Sequence, residues 1–234
     1  ESWQGDNRSR RIRGSLISCE RKPAMKWNQL IKSSQQRFRK QRAERILAQF
    51  PQIVGSTVVD LGGSLPFWRD VGHILRPQKV VIYNISSHRM EMGMQNSWEY
   101  VETHLYDGIR VPMDDKSVDF VLCNSVIEHV PPAARAGLAG EIMRLGHHYA
   151  VQTPSPKFPL ELHFGLPFIH WLPRPLARKI VPISPFGLLT DADAQAYFDQ
   201  TILLNEAELR GYFPEARIEI EKAFGIPKSQ IAFG

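Results

Sequence analysis

The sequence predicts an α/β fold with a mainly parallel sheet and helices on both faces, and three observations carry that prediction. Short runs rich in Val, Ile and Leu recur between Ile53 and Thr153, the composition of strands covered on both faces. Segments with helix-forming residues separate them, as parallel crossovers require. The run Val58-Val59-Asp60-Leu61 then breaks into Gly62-Gly63-Ser64-Leu65-Pro66, a tight turn suited to cradling an anionic or nucleotide-like ligand at a helix start.

Each element follows in order. Residues 1–23 hold Arg8, Arg10, Arg11 and Arg13 among polar residues and glycines with no apolar period, which predicts a flexible tail. Residues 24–51 read as a helical segment, with Trp27, Leu30, Ile31, Phe38, Ile46, Leu47 and Phe50 near one helical face, basic residues on the rest, and Pro51 as the stop. The main domain is expected over 52–234. Its first strand runs from Ile53 to Leu61, a short helix from Pro66 to Leu75, and a second strand from Lys79 to Tyr83. A weaker crossing is expected over His88 to Trp98, a third strand over Val101 to Tyr106, and a fourth over Val118 to Cys123.

Helix formers from Pro132 to Leu145 lead to a fifth strand, His148 to Thr153. Residues 154–190 interrupt the alternation with prolines and aromatics, including Phe158, Phe164, Phe168 and Trp171, and a connection this long is a packed subdomain or a functional one. Regular structure resumes at Ala192 to Phe198 and Asn205 to Tyr212. Two last strands, Arg217 to Ile220 and Gln230 to Phe233, suit an antiparallel sheet edge.

Composition bounds the function classes. The 234 residues are 43% hydrophobic, enough for a substantial core and unlike a disordered adaptor. Cys19 and Cys123 lie far apart, and neither has a cysteine or histidine at metal-ligand spacing, so a reduced, cytoplasmic protein without a metal is expected. No charge-free stretch reaches the ~18 residues of a membrane span. The chain opens on Glu1 rather than Met and is read as processed, trimmed or a fragment. Residues 1–45 hold 13 Lys and Arg against 4 Asp and Glu, a local balance of +9 within a total of +5, so the basicity belongs to the N-terminal arm.

Ligands in open α/β sheets sit beyond the carboxyl ends of the strands. Asp60 precedes Gly62-Gly63 at the first end, and Asn84 stands at the second, 22 residues after Gly62, near the spacing that sets a polar side chain beside ribose hydroxyls. Asp107-Gly108 follows the third strand. The longer pattern Val111-Pro112-Met113-Asp114-Asp115-Lys116-Ser117-Val118-Asp119-Phe120-Val121 enters the fourth strand, which ends in Asn124-Ser125.

In that pattern, residues 55–154 resemble the class I S-adenosylmethionine-dependent methyltransferases, in particular the broad small-molecule group. The resemblance implies a Rossmann-like, seven-stranded sheet with an antiparallel final strand and S-adenosylmethionine as cofactor. It also implies Asp60, Gly62, Gly63 and Ser64 at the methionine side, Asn84 at the ribose, Asp107 at the adenine and Asn124 beside the methyl centre. The family's alternating glycines give way here to Ser64 and Pro66, and its acidic ribose residue to Asn84.

Methyl transfer to an oxygen, nitrogen or carbon atom of a small acceptor is therefore the expected function, with residues to move a proton where the acceptor needs it. His129, after Glu128, lies at the mouth of such a site, and its ordinary pKa near 6.5 suits a base. Glu161 and His163, two apart, align on an extended segment. Two alternatives stand beside this reading. A catalytically impaired binding or partner subunit would retain the sheet without the turn chemistry, and a nucleic-acid enzyme or binder would use the basic arm on phosphates.

Overall fold

The computed structural model describes residues 22–86, 100–185 and 191–234. The expected crossing over His88 to Trp98, and residues 1–21 of the expected tail, lie outside the described residues. In chain order the elements are α1 (Lys22–Gln49), β1 (Thr57–Leu61), α2 (Leu65–Leu75), β2 (Lys79–Asn84), β3 (Val101–Leu105), β4 (Val118–Asn124) and α3 (Pro132–Leu145). There follow β5 (Gly146–Pro154), β6 (Leu160–Glu161), β7 (Leu166–Pro167), α4 (Arg174–Ile180), α5 (Asp191–Gln200), α6 (Glu206–Tyr212), β8 (Arg217–Ala223) and β9 (Ile226–Phe233).

Seven strands form one sheet in the order β3-β2-β1-β4-β5-β9-β8. The five strands from β3 to β5 are parallel, whereas β9 runs antiparallel to both β5 and β8. The expected final antiparallel strand is thus present, and it lies inside the sheet between β5 and β8. Order reverses between β1 and β4, the switch point at which an open α/β sheet leaves a crevice beyond its carboxyl ends.

The two-residue strand period divides the core. Val58, Val80, Ile82, Phe120, Leu122 and Ile231 pack under Ala43 and Ile46 of α1 and Phe67, Trp68, Val71 and Leu75 of α2. Val59, Leu61, Val121, Cys123 and Val151 face Leu138, Ala139, Ile142 and Leu145 of α3 and Leu209 of α6. The α3 residues fall at spacings of one, three and four, the stripe of a core-facing helix.

Several boundaries differ from the sequence expectation. β1 starts at Thr57 rather than Ile53, because Pro51–Ile53 form a single 3₁₀ turn and Gly55 follows with φ +76°. α2 starts one residue early, at Leu65, and α1 already includes Lys22. The connection after β5 is a packed subdomain rather than an open loop. Phe164, Ile169, Ala177 and Val181 join Ala194 and Phe198 of α5 in a third apolar cluster, which stands at the carboxyl end of β5.

Candidate active site

A cavity of about 240 Å³ opens at the carboxyl ends of β1, β4 and β5, with Phe38, Arg39 and Arg42 of α1 over it. Its first wall is the turn after β1. Gly62 has φ +73°, where a side chain is strained, and a Cβ there would stand 2.6 Å from Val126 Cγ2. A Cβ on Gly63 would stand 1.9 Å from Asp60 Oδ2, so the turn closes on the carboxylate only because both residues are glycine.

Asp60 faces the α1 and α2 side of the sheet and is 1% exposed. Trp68 Nε1–H donates to its Oδ2 at 2.7 Å, while Oδ1 is buried with no hydrogen-bond partner among the described residues. Burial raises the pKa to about 7, outweighing the lowering effect of the Trp68 bond. A buried carboxylate with one oxygen unsatisfied, on the wall of a cavity, is suited to a cationic ligand group.

Ser64 and Pro66 find a local explanation. Ser64 is extended, with φ −146°, and its carbonyl accepts from Phe67 N at 3.1 Å and Trp68 N at 3.4 Å as α2 begins. Pro66 then occupies the first helical turn, where a missing N–H costs nothing. Asn84, buried at the end of β2, donates from Nδ2 to Gly63 O at 3.1 Å and so braces the turn. Asp107 is exposed and accepts from Ile109 N at 2.7 Å and Arg110 N at 2.9 Å. Of the sequence-predicted cofactor residues, Asp60, Gly62, Gly63, Ser64 and Asn124 line the cavity, and Asn84 and Asp107 do not.

The second wall comes from β4 and β5, whose Cα register pairs Asn124 with Gln152. Ser125 adopts φ +55°, an uncommon conformation for a non-glycine residue. Two bonds hold it, one from its amide to Gln152 O at 2.9 Å and one from Oγ to Gln152 Oε1 at 2.9 Å. Arg42 fixes Asn124 from above. It donates to Asn124 Oδ1 through Nη1 and grips Glu221 with Nε at 3.2 Å and Nη2 at 2.6 Å. Ser229 Oγ donates to the same carboxylate.

Four ionisable groups meet at the third wall. Glu161 accepts from the amides of His163 and Phe164 at 2.9 and 3.0 Å, and its other oxygen lies 2.7 Å from His163 Nδ1. The pair therefore meets across a turn rather than along an extended strand. His163 Nε2 stands 3.5 Å from Glu128 Oε1, and Glu128 Oε2 accepts from Thr153 Oγ1 at 3.0 Å. Burial alone would depress the His163 pKa, but the Glu161 charge and both carboxylates hold it well above the ordinary value. The His129 ring meets His163 edge-on at 4.7 Å and stacks on Tyr197 at 5.1 Å. All three predicted proton-transfer residues, His129, Glu161 and His163, thus converge.

Sequence reasoning missed Arg42, Glu221 and Lys228. A basic residue on α1 reads as solvated, yet Arg42 is 4% exposed. Glu219 and Glu221 alternate with Ile218 and Ile220 as on a wet sheet edge, but α1 covers that polar face, with Gln49 Nε2 donating to Glu219 Oε1 at 2.9 Å. The β8–β9 register passes from Glu221↔Ser229 to Lys222↔Pro227, which leaves Lys228 as the extra residue of a bulge. The bulge turns its ammonium over the Phe38 ring at 4.0 Å, and burial lowers its pKa to about 8. Pro227 inside a strand is the signal that could have found it.

Comparison with known proteins gives one family match, to a methyltransferase domain, over residues 63–148. No curated protein matches the chain. Among solved structures, a SAM-dependent methyltransferase from Aquifex aeolicus is similar at TM-score 0.55 and 14% identity, covering 90% of this chain and 97% of that one. Magnesium protoporphyrin IX methyltransferase from Synechocystis PCC 6803, with bound SAH, is similar at TM-score 0.56 and 16% identity over 87% of this chain and 84% of its own. A SAM-dependent methyltransferase from Archaeoglobus fulgidus gives 0.53 and 12% over 84% and 94%.

Proposed function

We propose that the chain, which has the class I methyltransferase fold along its length and matches a methyltransferase domain over residues 63–148, is an S-adenosylmethionine-dependent methyltransferase whose cavity divides between cofactor and acceptor. The methionine end lies over Gly62 and Gly63 with its ammonium at Asp60, and a small hydroxyl-bearing acceptor lies against His129 and His163. One observation carries the division: the same cavity is lined by Asp60, whose Oδ1 has no hydrogen-bond partner among the described residues, and by the imidazoles of His129 and His163.

The residues present fit this cofactor. The two glycines bring backbone close to a ligand, Asp60 offers a buried negative charge to an ammonium, and Asn84 stiffens the turn through Gly63 O. Asp107, beyond the end of β3, is our candidate on the adenine side, and Asn84 keeps an amide oxygen for the ribose. When bound, the cofactor supplies a methyl group already activated on a sulfonium. The chain then has to align an acceptor lone pair with that methyl, exclude water and take up a proton.

Thr201 Oγ1 donates to Tyr197 O at 2.8 Å, so toward His129 Nδ1, 3.3 Å away, it acts as acceptor. That bond sets His129 with its proton on Nδ1 and its lone pair on Nε2, the arrangement of a base. Its Nε2 lies 3.4 Å from the Tyr197 hydroxyl. The small volume and the α1 roof favour a small acceptor over a polymer. No helix among the described residues is long and apolar enough to cross a membrane, and the buried free thiol of Cys123 suits the reduced, cytoplasmic setting that we include in this reading.

Calorimetric titration with S-adenosylhomocysteine tests the assignment. Wild-type protein is expected to bind one equivalent, and Gly63→Ala, whose Cβ collides with Asp60, to weaken binding by at least ~100-fold. Folded wild-type protein that binds no S-adenosylhomocysteine would overturn it.

A further inference from the structure

We propose that Glu128, His129 and His163 form a binding site for one divalent transition-metal cation at the acceptor end of the cavity, where the ion would hold and polarise the acceptor oxygen. This inference deepens the division of the cavity given above and rests on it, with the His129 Nε2 lone pair given to the ion in place of a proton. Among the described residues these three each offer a ligand atom, and the three atoms lie within 4.8 Å of one another.

The pair formed by His163 and Glu128 has the spacing that coordination needs. Two ligand atoms held ~2.1 Å from one ion at a tetrahedral angle stand ~3.4 Å apart. His163 Nε2 and Glu128 Oε1 stand 3.5 Å apart. Among the described residues Glu128 Oε1 accepts no hydrogen bond, in a side chain that is 0% exposed, and the His163 ring is the group that faces it. An orphaned carboxylate oxygen in such a place costs free energy unless a cation completes it.

The surrounding shell orients the ligands. Glu161 lies 2.7 Å from His163 Nδ1 and has its second oxygen occupied by two backbone amides, so it keeps the Nδ1 proton, and an ion between His163 and Glu128 would displace the Nε2 proton. This is the carboxylate–histidine–metal relay in which an outer carboxylate fixes the tautomer and raises ligand basicity. Thr201 does the same for His129 by accepting from Nδ1. Thr153 anchors the other oxygen of Glu128. Two histidines and one carboxylate leave a fourth position for an oxygen ligand, and His129 and His163 line the cavity where an acceptor hydroxyl would supply it.

Cobalt(II) is the probe. Chelator-treated wild-type protein, titrated with cobalt(II) by calorimetry and by visible absorption, is expected to take one ion per chain and to develop the ligand-field bands of a four- or five-coordinate nitrogen and oxygen site. Glu128→Gln and His163→Gln are each expected to weaken binding by at least ~30-fold. Glu161→Gln, a positioning change, is expected to weaken it ~10–100-fold and to shift the bands, a spectroscopic effect that loss of fold would not imitate. No stoichiometric binding to wild-type protein, or equal affinity in Glu128→Gln, would overturn the proposal. Titration of the same metal-free protein with S-adenosylhomocysteine separates the two readings, since cofactor binding without cobalt binding defeats the metal site alone.

Discussion

Asp60 concentrates the chemistry of the turn in one side chain. Its carboxyl is buried beside Gly63, bonded on one oxygen, and titrates at about 7 instead of 3.8. The folded state therefore holds a proton that the unfolded state releases near pH 4, so the contribution of Asp60 to stability is fullest below pH 4, falls as pH rises to about 7, and is level above it. At ~1.4 kcal/mol per unit the fall is on the order of 4 kcal/mol. Asp60→Asn is expected to flatten that slope in denaturant titrations between pH 4 and 7, and a slope equal to wild type would assign the pH dependence elsewhere. Because an ammonium ligand draws the carboxyl into its charged form, S-adenosylhomocysteine binding at pH 6 is expected to release a proton. Calorimetry in buffers of different ionisation enthalpy measures it. Asp60 and the two glycines were legible in sequence because a strand breaking at Asp-Leu-Gly-Gly is a local pattern. The orphaned Oδ1 was not, since it depends on Trp68 reaching back from α2.

At the scale of elements, α1 is the piece whose role the sequence misstates. Its periodicity gives a helix, and Ile46 does enter the core, but the same periodicity assigns Arg42 to solvent. The face of β8 that carries Glu219 and Glu221 is polar for the same reason that α1 is: each covers the other. Replacing Arg42 with Ala leaves the Glu221 carboxylate, 1% exposed, without its cation, and such a loss typically costs 3–5 kcal/mol, about as a buried pair broken on one side. Thermal unfolding of Arg42→Ala should show that loss. The double change Arg42→Met with Glu221→Gln should recover most of it, because the stranded carboxylate is gone. If the double variant is no more stable than Arg42→Ala, the cost lies in packing and not in the stranded carboxylate. The bulge at Lys228 was hidden too, because an extra residue in one strand shows only in the register of its partner.

The described residues form a seven-stranded sheet with a smaller cap. The main cores flank seven strands, whereas the cap around Phe164, Ile169, Val181 and Phe198 is a separate apolar cluster contributed by a few short elements. Elements with little buried area open locally at less than the global free energy. Hydrogen exchange in α4 and α5 should therefore run at least ~100-fold faster than in β1, β4 and β5, a difference of ~3 kcal/mol, and equal rates would mean that cap and sheet open together. The sheet was readable because each strand and crossover declares itself within a dozen residues. The converging imidazoles were not, because Glu128 and His129 follow β4 while Glu161 and His163 follow β5, and only folding brings them together. Arg42 and Glu221 are 179 positions apart. During synthesis α1 leaves the ribosome long before β8 and β9 exist, so until that hairpin docks Arg42 has no carboxylate and Asn124 lacks its clamp. The carboxylate that holds Arg42, and through it Asn124, thus comes from the last hairpin, and the cavity is complete only when those strands have joined the sheet.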